Sequence, residues 1–593
     1  PATSSKRDSA ADLILKDIFR FYELSDRVPR TADGRLDWSH EGPDHDIEWA
    51  WGLNRHGHLI SLMGAYFRTG NPVYAETINT HVQDWVVSSL PYPRVNSRTA
   101  MWRGLEVALR AKVWVRVFYA LINTDYLSPA TQILMLTSVP EHTHYLRNFH
   151  AAAGNWLTME MSGLAMVATA WPEFKESRKW VEYSKAQMLD GLKDQVYPDG
   201  VQKELTSHYH QVALNNFRHF RDICDEAGEP LPDEYRSELE KMAHYIAVTV
   251  SPSGYGLLNN DSDHRYNRSW IEAAAETYGR EDWLFIATNG KKGKRPSGSP
   301  SVVFPWAGQL VMRSDYDADA HWAFFDVGAW GTGHQHNDKL HISVSAYGRD
   351  LLEDGGRFAY RGELANKFRK YATGSASHNV VLIDGQGQSP GPHEAREPLS
   401  DNQYKITESF DYASGSFDKF DAAEGNAVHT RSVFYMRGKF WIVVDKIETD
   451  RKRKIEALWH WHPKANVRIG ENGIVSTHHD KGNLKIIPVD YVRWKVTEVK
   501  GAENPPQGWY SERYNLSEPA PVSIYSTEIN GTSSFVWVLF PSEKDTETVR
   551  ARIVSSDSDK IRVRVVDQHS NEWEVDVPYQ SSADAGYSFK SAL

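Results

Sequence analysis

The 593-residue sequence predicts a multidomain chain with an N-terminal incomplete (α/α) toroid followed by a C-terminal antiparallel β-sandwich. Three observations predict it. Apolar residues recur three and four apart from about residue 10 to 285, and every second residue after about 302. A polar stretch rich in Gly, Ser and Lys separates the two regimes.

Helical runs include HLISLMGAYFRTG (58–70), AMWRGLEVALRAKVWVRVFYALI (100–122) and SGLAMVATAWPEF (162–174), divided by turns holding Pro, Gly, Asn or Asp. Many helices of similar length joined by short loops form a bundle or a toroid of helical hairpins. The segment TNGKKGKRPSGSPS (288–301) reads as an exposed connection. Residues 1–295 are therefore expected to form the helical domain and residues 302–593 the sheet domain. In the latter, HWAFFDVGAW (321–330), LHISVSAYG (340–348), HNVVLIDG (378–385), SVFYMRGKFWIVVDKIE (432–448), SSFVWVLF (533–540) and KIRVRVVDQHSNEWEVDVP (560–578) are β-branched and aromatic runs. Turn residues close them, as antiparallel strands require.

Composition excludes several functions. With 67 Lys+Arg against 78 Asp+Glu the net charge is −11, which opposes coating a nucleic acid, where a basic face must displace counterions. No run approaches the ~18 apolar residues of a membrane span, and PATSSKRDSAADL at the start holds no apolar signal core. A single cysteine, Cys224, allows neither an intrachain disulfide nor a Cys-rich metal module; it suits the cytoplasm and equally an exported chain already stripped of its signal. The 21 Trp and 28 Tyr suit stacking on sugar rings as well as core packing.

Three clusters could carry chemistry. His334 and His336 stand two apart before a strand, Asp354 follows His336 by eighteen residues, and His378 lies twenty-four further on. Two imidazoles and a carboxylate at strand ends can hold a zinc-like ion, and surface histidines at strand ends explain them equally well. In the second, Asn155 follows a glycine at a helix start, where it caps a helix or faces a ligand, and Tyr209 and His210 sit close to Glu204 after a PDG turn. A Tyr-His pair on a helix is more often core. In the third, Trp49, Asn54, Arg55 and His56 share two helical turns, either as helix packing or as the wall of a carbohydrate groove in which Arg55 holds a carboxylate.

Taken in chain order, EWAWGLNRHGHLISLMGAYFRTGNPVY (48–74), MWRGLEVALRAKVW (101–114), AAAGNWLTMEMSGL (151–164), PDGVQKELTSHYH (198–210), GHQHNDKLHISVSAYGRDLLEDGG (333–356) and SHNVVLIDG (377–385) resemble the heparinase II/III-like polysaccharide lyases over nearly the whole chain. The resemblance implies an α/α toroid joined to a β-sandwich. It also implies a lyase that removes the C5 proton of a uronic acid in an acidic poly- or oligosaccharide and breaks the C4–O bond. By position it assigns Asn155 to the uronate carboxylate, Tyr209 and His334 to proton transfer, and His336, Asp354 and His378 to one structural divalent metal, zinc. Asn54, Arg55, Arg103, Trp156, Glu204 and His210 are expected to bind substrate. The sequence departs from the family in having Trp156 where several relatives have His. For the second family tyrosine, Tyr371 is taken over Tyr360.

A tyrosine titrates near 10, so a cationic neighbour, His210 or an arginine, is expected to favour the Tyr209 phenolate. Tyr209 serves as base and acid if both act on one face of the sugar; on opposite faces His334 is the better base. Arg357, Arg361, Lys367, Arg369 and Lys370 cluster, yet the chain is acidic, which points to a sparsely sulfated, glucuronate-containing glycan or rhamnosyl-glucuronate terminus. The competing functions are a zinc-dependent carbohydrate hydrolase and a non-catalytic glycan-binding protein. The expected location is periplasmic or extracellular.

Overall fold

The computed structural model describes residues 6–21, 24–43, 45–391, 394–489 and 494–592. The chain divides into two compact units, Pro1–Gln195 with Val212–Ser237, and Val196–Gln211 with Glu238–Leu593. Among the described residues no helix is long and apolar enough to cross a membrane.

The first unit is helical, as its period predicts. Asn71 and Ser128 accept backbone N–H bonds from Val73 and Thr131 and are each followed by proline, so Pro72–Ser88 and Pro129–Asn148 start sharply. Gly104–Leu121 packs on Gly57–Thr69, Pro129–Asn148 and Gly154–Ala170. Against the last of these a Cβ on Gly163 would stand 2.7 Å from the Ala108 Cβ, so the approach requires glycine. Much of the tryptophan excess is core here. Trp38, Trp85, Trp102 and Trp114 interlock with the buried imidazoles of His56, His58, His81 and His142. Buried Arg110 lies 3.9 Å over Trp85 and donates to the Asn54 carbonyl and to His142 Nε2. A hairpin of Ile18–Phe21 and Leu24–Arg27 interrupts the region read as helical. Its four-residue strands are too short to declare a period, and it is held where Phe19 packs edge-on against His58.

In the second unit, Val302–Phe304, Gln309–Arg313, Trp322–Asp326, Ile342–Ala346 and Arg349–Leu352 form an antiparallel meander. An eight-stranded antiparallel sheet has Phe440–Thr449 and Ser533–Ser542 at its centre. Alternate residues of Phe440–Thr449 serve two cores. Trp441 and Val443 join the core shared with the meander, while Phe440, Ile442 and Val444 join the one shared with the C-terminal strands Lys560–Asp567 and Glu572–Pro578. That double burial explains why 432–448 reads as a nearly continuous apolar run; it is the hairpin Ala427–Met436/Phe440–Thr449, turned at Gly438.

Two features of this unit set up the site. Buried Arg431 is paired with buried Asp445 and donates to the carbonyls of Leu340 and Asn379; the Asn379 amide in turn bonds the carbonyls of Ile342 and Glu353. The backbone around His341, Asp354 and His378 is thereby fixed. The second feature is a helix, Gly362–Thr373, inside the region read as strands. Ala365, Phe368, Tyr371 and Ala372 make its buried face, a 3.6-residue pattern that the strand reading overlooked.

Candidate active site

Tyr209 sits in the first turn of the helix Ser207–Glu226, where its N–H donates to Thr206 Oγ1, the cap. Its ring lies flat on the His334 imidazole, centroids 3.7 Å apart and planes 12° apart. Its hydroxyl is 2.9 Å from the Tyr360 hydroxyl. His334 Nδ1 is hydrogen-bonded to Glu204 Oε2, so with the proton on Nδ1 the lone pair is on Nε2. The loop that presents His334 is tightly built. His334 has φ +56°, rare for a β-substituted residue, and its carbonyl accepts from Asp261 N at 3.1 Å. Thr332 N donates to the Lys203 carbonyl at 2.9 Å, and a Cβ on Gly331 would meet the Glu204 carbonyl oxygen at 2.7 Å.

Cations frame the pair. Arg357 forks onto Asp263 at 2.8 Å through two nitrogens and reaches the Tyr360 hydroxyl at 3.4 Å. Arg369 forks onto Asp261 and stands 5.0 Å over the Tyr360 ring. Burial raises the Tyr209 hydroxyl above its ordinary value, while Tyr360 and Arg357 pull against that rise. Tyr360 is raised further, by burial and by the Asp261 charge. The resting site therefore holds two neutral phenols.

The structure corrects several expected roles. Tyr360, not Tyr371, stands against Tyr209; Tyr371 is three residues from Phe368 on the apolar helix face and donates to Gln507 Oε1 at 3.0 Å. His210 is buried, accepts from Gln202 N, donates to the Met242 carbonyl and is pushed down to about 4 by burial, so it neither binds substrate nor supplies a cation. Asn54 is wholly used inside the first unit, donating to the carbonyls of Trp38 and Ala50 and accepting from Trp85 Nε1. Glu204 orients His334.

In the first unit, Arg55 and Arg103 both bond the fully buried Glu106. The Arg103 guanidinium is stacked on Trp51 at 3.4 Å and on Trp156 at 4.7 Å, and Trp156 remains 49% exposed. Arg103 thus supports a flat indole that faces outward. The half-buried Asn155, in the first turn of Gly154–Ala170, makes no side-chain hydrogen bond among the described residues.

His336, Asp354 and His378, 0–1% exposed, offer ligand atoms within 4.8 Å of one another. The donor set fits a metal. His336 Nε2 is bonded to Asp261 and His378 Nε2 to the Ala372 carbonyl, which leaves each Nδ1 lone pair for the site. His336 Nδ1 has no hydrogen-bond partner among the described residues, and His378 Nδ1 is 2.9 Å from Asp354 Oδ2. Although burial opposes it, His378 holds the Asp354 carboxyl below the usual range. Asp261 and Asp263 escaped the sequence reading, which placed Arg357 only in a basic cluster and set Tyr360 second to Tyr371. The run NNDSDH (259–264) was the available signal, but polar loops of that composition are common.

A helical unit followed by antiparallel sheets, with a tyrosine stacked on a carboxylate-held histidine, defines a polysaccharide lyase of the toroid-and-sandwich class. The chain belongs to the heparinase II/III-like family: the heparinase II/III N-terminus matches residues 3–282 and the heparinase II/III-like C-terminal domain residues 296–562. It is 24% identical over 511 residues to a heparin-sulfate lyase of Pedobacter heparinus, covering 84% of this chain and 75% of that protein. It is 25% identical over 484 residues to a heparin-sulfate lyase of Bacteroides stercoris, covering 76% and 70%. The crystal structure of a heparan sulfate lyase HepC mutant from Pedobacter heparinus superimposes with a TM-score of 0.78 at 22% identity, covering 96% of this chain and 89% of that one.

Proposed function

We propose that this lyase cuts 4-linked uronic-acid glycans by β-elimination at glucuronate-type residues, acting in the periplasm or outside the cell. The observation that carries the reading is the stack of Tyr209 on His334. Rings 3.7 Å apart leave no room for a sugar between them, so both groups meet a bound ring from one side. In a 4-linked glucuronate the C5 hydrogen and the C4 oxygen share a face; in its C5 epimer iduronate they do not. One-sided proton transfer therefore fits the glucuronate epimer.

The C5 hydrogen becomes acidic enough only when the adjacent carboxylate is neutralised. Asn155, whose amide is unbonded among the described residues, is the donor we assign to it. Although one-sided action alone would let Tyr209 serve as base and acid, burial disfavours its phenolate, so His334, held by Glu204 through Nδ1, takes the C5 proton at Nε2. The C–H electron pair becomes the C4=C5 double bond as the C4–O bond breaks, and Tyr209, kept protonated by burial, gives its proton to the departing oxygen. His336, Asp354 and His378 would hold one zinc ion, which when bound supplies a cross-link beneath the loop carrying His334. A hydrolytic zinc needs an open position facing water, and these donors are buried.

The basic cluster supports a substrate with few sulfates. Arg357, Arg369 and Lys367 are bonded to Asp263, Asp261 and Glu503. A panel of glycans defined by uronate epimer and sulfation tests the proposal. Cleavage is expected with unsulfated glucuronate chains, and cleavage confined to iduronate linkages contradicts it.

A further inference from the structure

We propose a second divalent-metal site, formed by His264, Asp350 and Glu353 and separate from the His336 group. Their ligand atoms lie within 4.8 Å of one another around a cavity of about 10 Å³, roughly the room one water or small ion needs. Each ligand is held by its own surroundings. Asp350, on the strand Arg349–Leu352, accepts from Ser345 Oγ at 2.7 Å and from Ser253 Oγ at 3.0 Å, which fixes the carboxylate while lone pairs remain. His264 lies with its ring 4.4 Å from that of Tyr255, its backbone N–H bonded to the Glu512 carbonyl and its Nδ1 3.3 Å from the Tyr510 hydroxyl, leaving Nε2 as the unengaged ring nitrogen among the described residues. Glu353 is 6% exposed and lines the cavity, and the backbone N–H of Asp354 is a donor to its carboxylate.

Two carboxylates facing one small cavity, with an imidazole beside them, are an arrangement that a cation relieves. One imidazole with two carboxylates in so small a space suits a zinc-sized ion completed by one water. Calcium takes about six to eight oxygen ligands and more room. The ion would tie the segment 251–264 to the meander edge. That segment carries Asp261 and Asp263, which hold His336 and Arg357, so the second metal acts as a positioning element for the site.

The test is Zn2+ content per full-length chain after equilibrium dialysis, read by elemental analysis. Asp350→Asn and His264→Gln are each expected to lose one equivalent relative to the wild type, and His336→Ala to retain that equivalent. Equal Zn2+ in the wild type and both cavity variants overturns the proposal. Should the variants fail to fold, crystals of the unsubstituted protein grown with Zn2+ decide it. An anomalous peak among His264, Asp350 and Glu353 supports the site, and an anomalous map without one overturns it.

Discussion

Burial keeps the Tyr209 hydroxyl protonated against the opposing pull of Tyr360 and Arg357, while Glu204 holds His334 by Nδ1 and directs Nε2 outward. Tyr209→Phe removes the proton donor we propose and should cut kcat by at least about 100-fold in steady-state assays, with an unchanged melting temperature. Glu204→Gln keeps the size, but an amide N–H facing Nδ1 favours the other tautomer, with hydrogen on Nε2. We expect kcat to fall by about 100-fold or more with little change in KM. A Glu204→Gln enzyme with normal kcat would remove His334 from the base role. Tyr209 and His334 were legible because each stands inside a recognisable block. The Glu204 partnership was not, because it joins residues 130 positions apart, where no local period operates. Tyr371, taken over Tyr360, lies on the buried face of Gly362–Thr373, a spacing hidden by reading that region as strands.

The buried Arg431–Asp445 pair works at the scale of elements, fixing the segments around Leu340 and Asn379 to the central sheet. Arg431→Leu leaves the Asp445 charge buried with His429 and Trp537 as its remaining polar partners among the described residues. It should cost about 3–5 kcal/mol in chemical denaturation, and a loss below ~1 kcal/mol would deny the pair its structural role. The strands and long helices were legible because binary pattern and period agree in them. Phe440–Thr449 was legible only as a strand; its role between two cores lies in which sheets it meets, and strand runs do not encode their neighbours. The hairpin at Ile18–Phe21 and the helix Gly362–Thr373 were missed, the first for shortness and the second for its setting among strands.

The molecule as a whole withholds protons from many buried histidines. In the first unit burial lowers His81 to about 4, and His56, His58 and His142 lie well below their ordinary values. Their folded values are depressed, so their contribution is complete above the unfolded value near 6.5 and is lost as pH falls below it. Each withheld proton costs about 1.4 kcal/mol per pH unit in that window. Glu160, raised to about 7 by burial, gains a proton in the same direction and offsets one of the four. Melting temperature should therefore fall steadily from pH 6.5 towards 4, and a flat profile would show these imidazoles to be solvated. His336→Ala should lower both metal content and melting temperature, because an ion bound only by the native fold stabilises it. The central claim concerns bond breaking, and the product reports on it most directly. Digestion of an unsulfated glucuronate glycan by the wild type, followed together by ultraviolet absorbance and reducing-end titration, should give one conjugated 4,5-unsaturated uronate for every new reducing end, and neither with Tyr209→Phe. New reducing ends without that absorbance would mean hydrolysis and contradict the account.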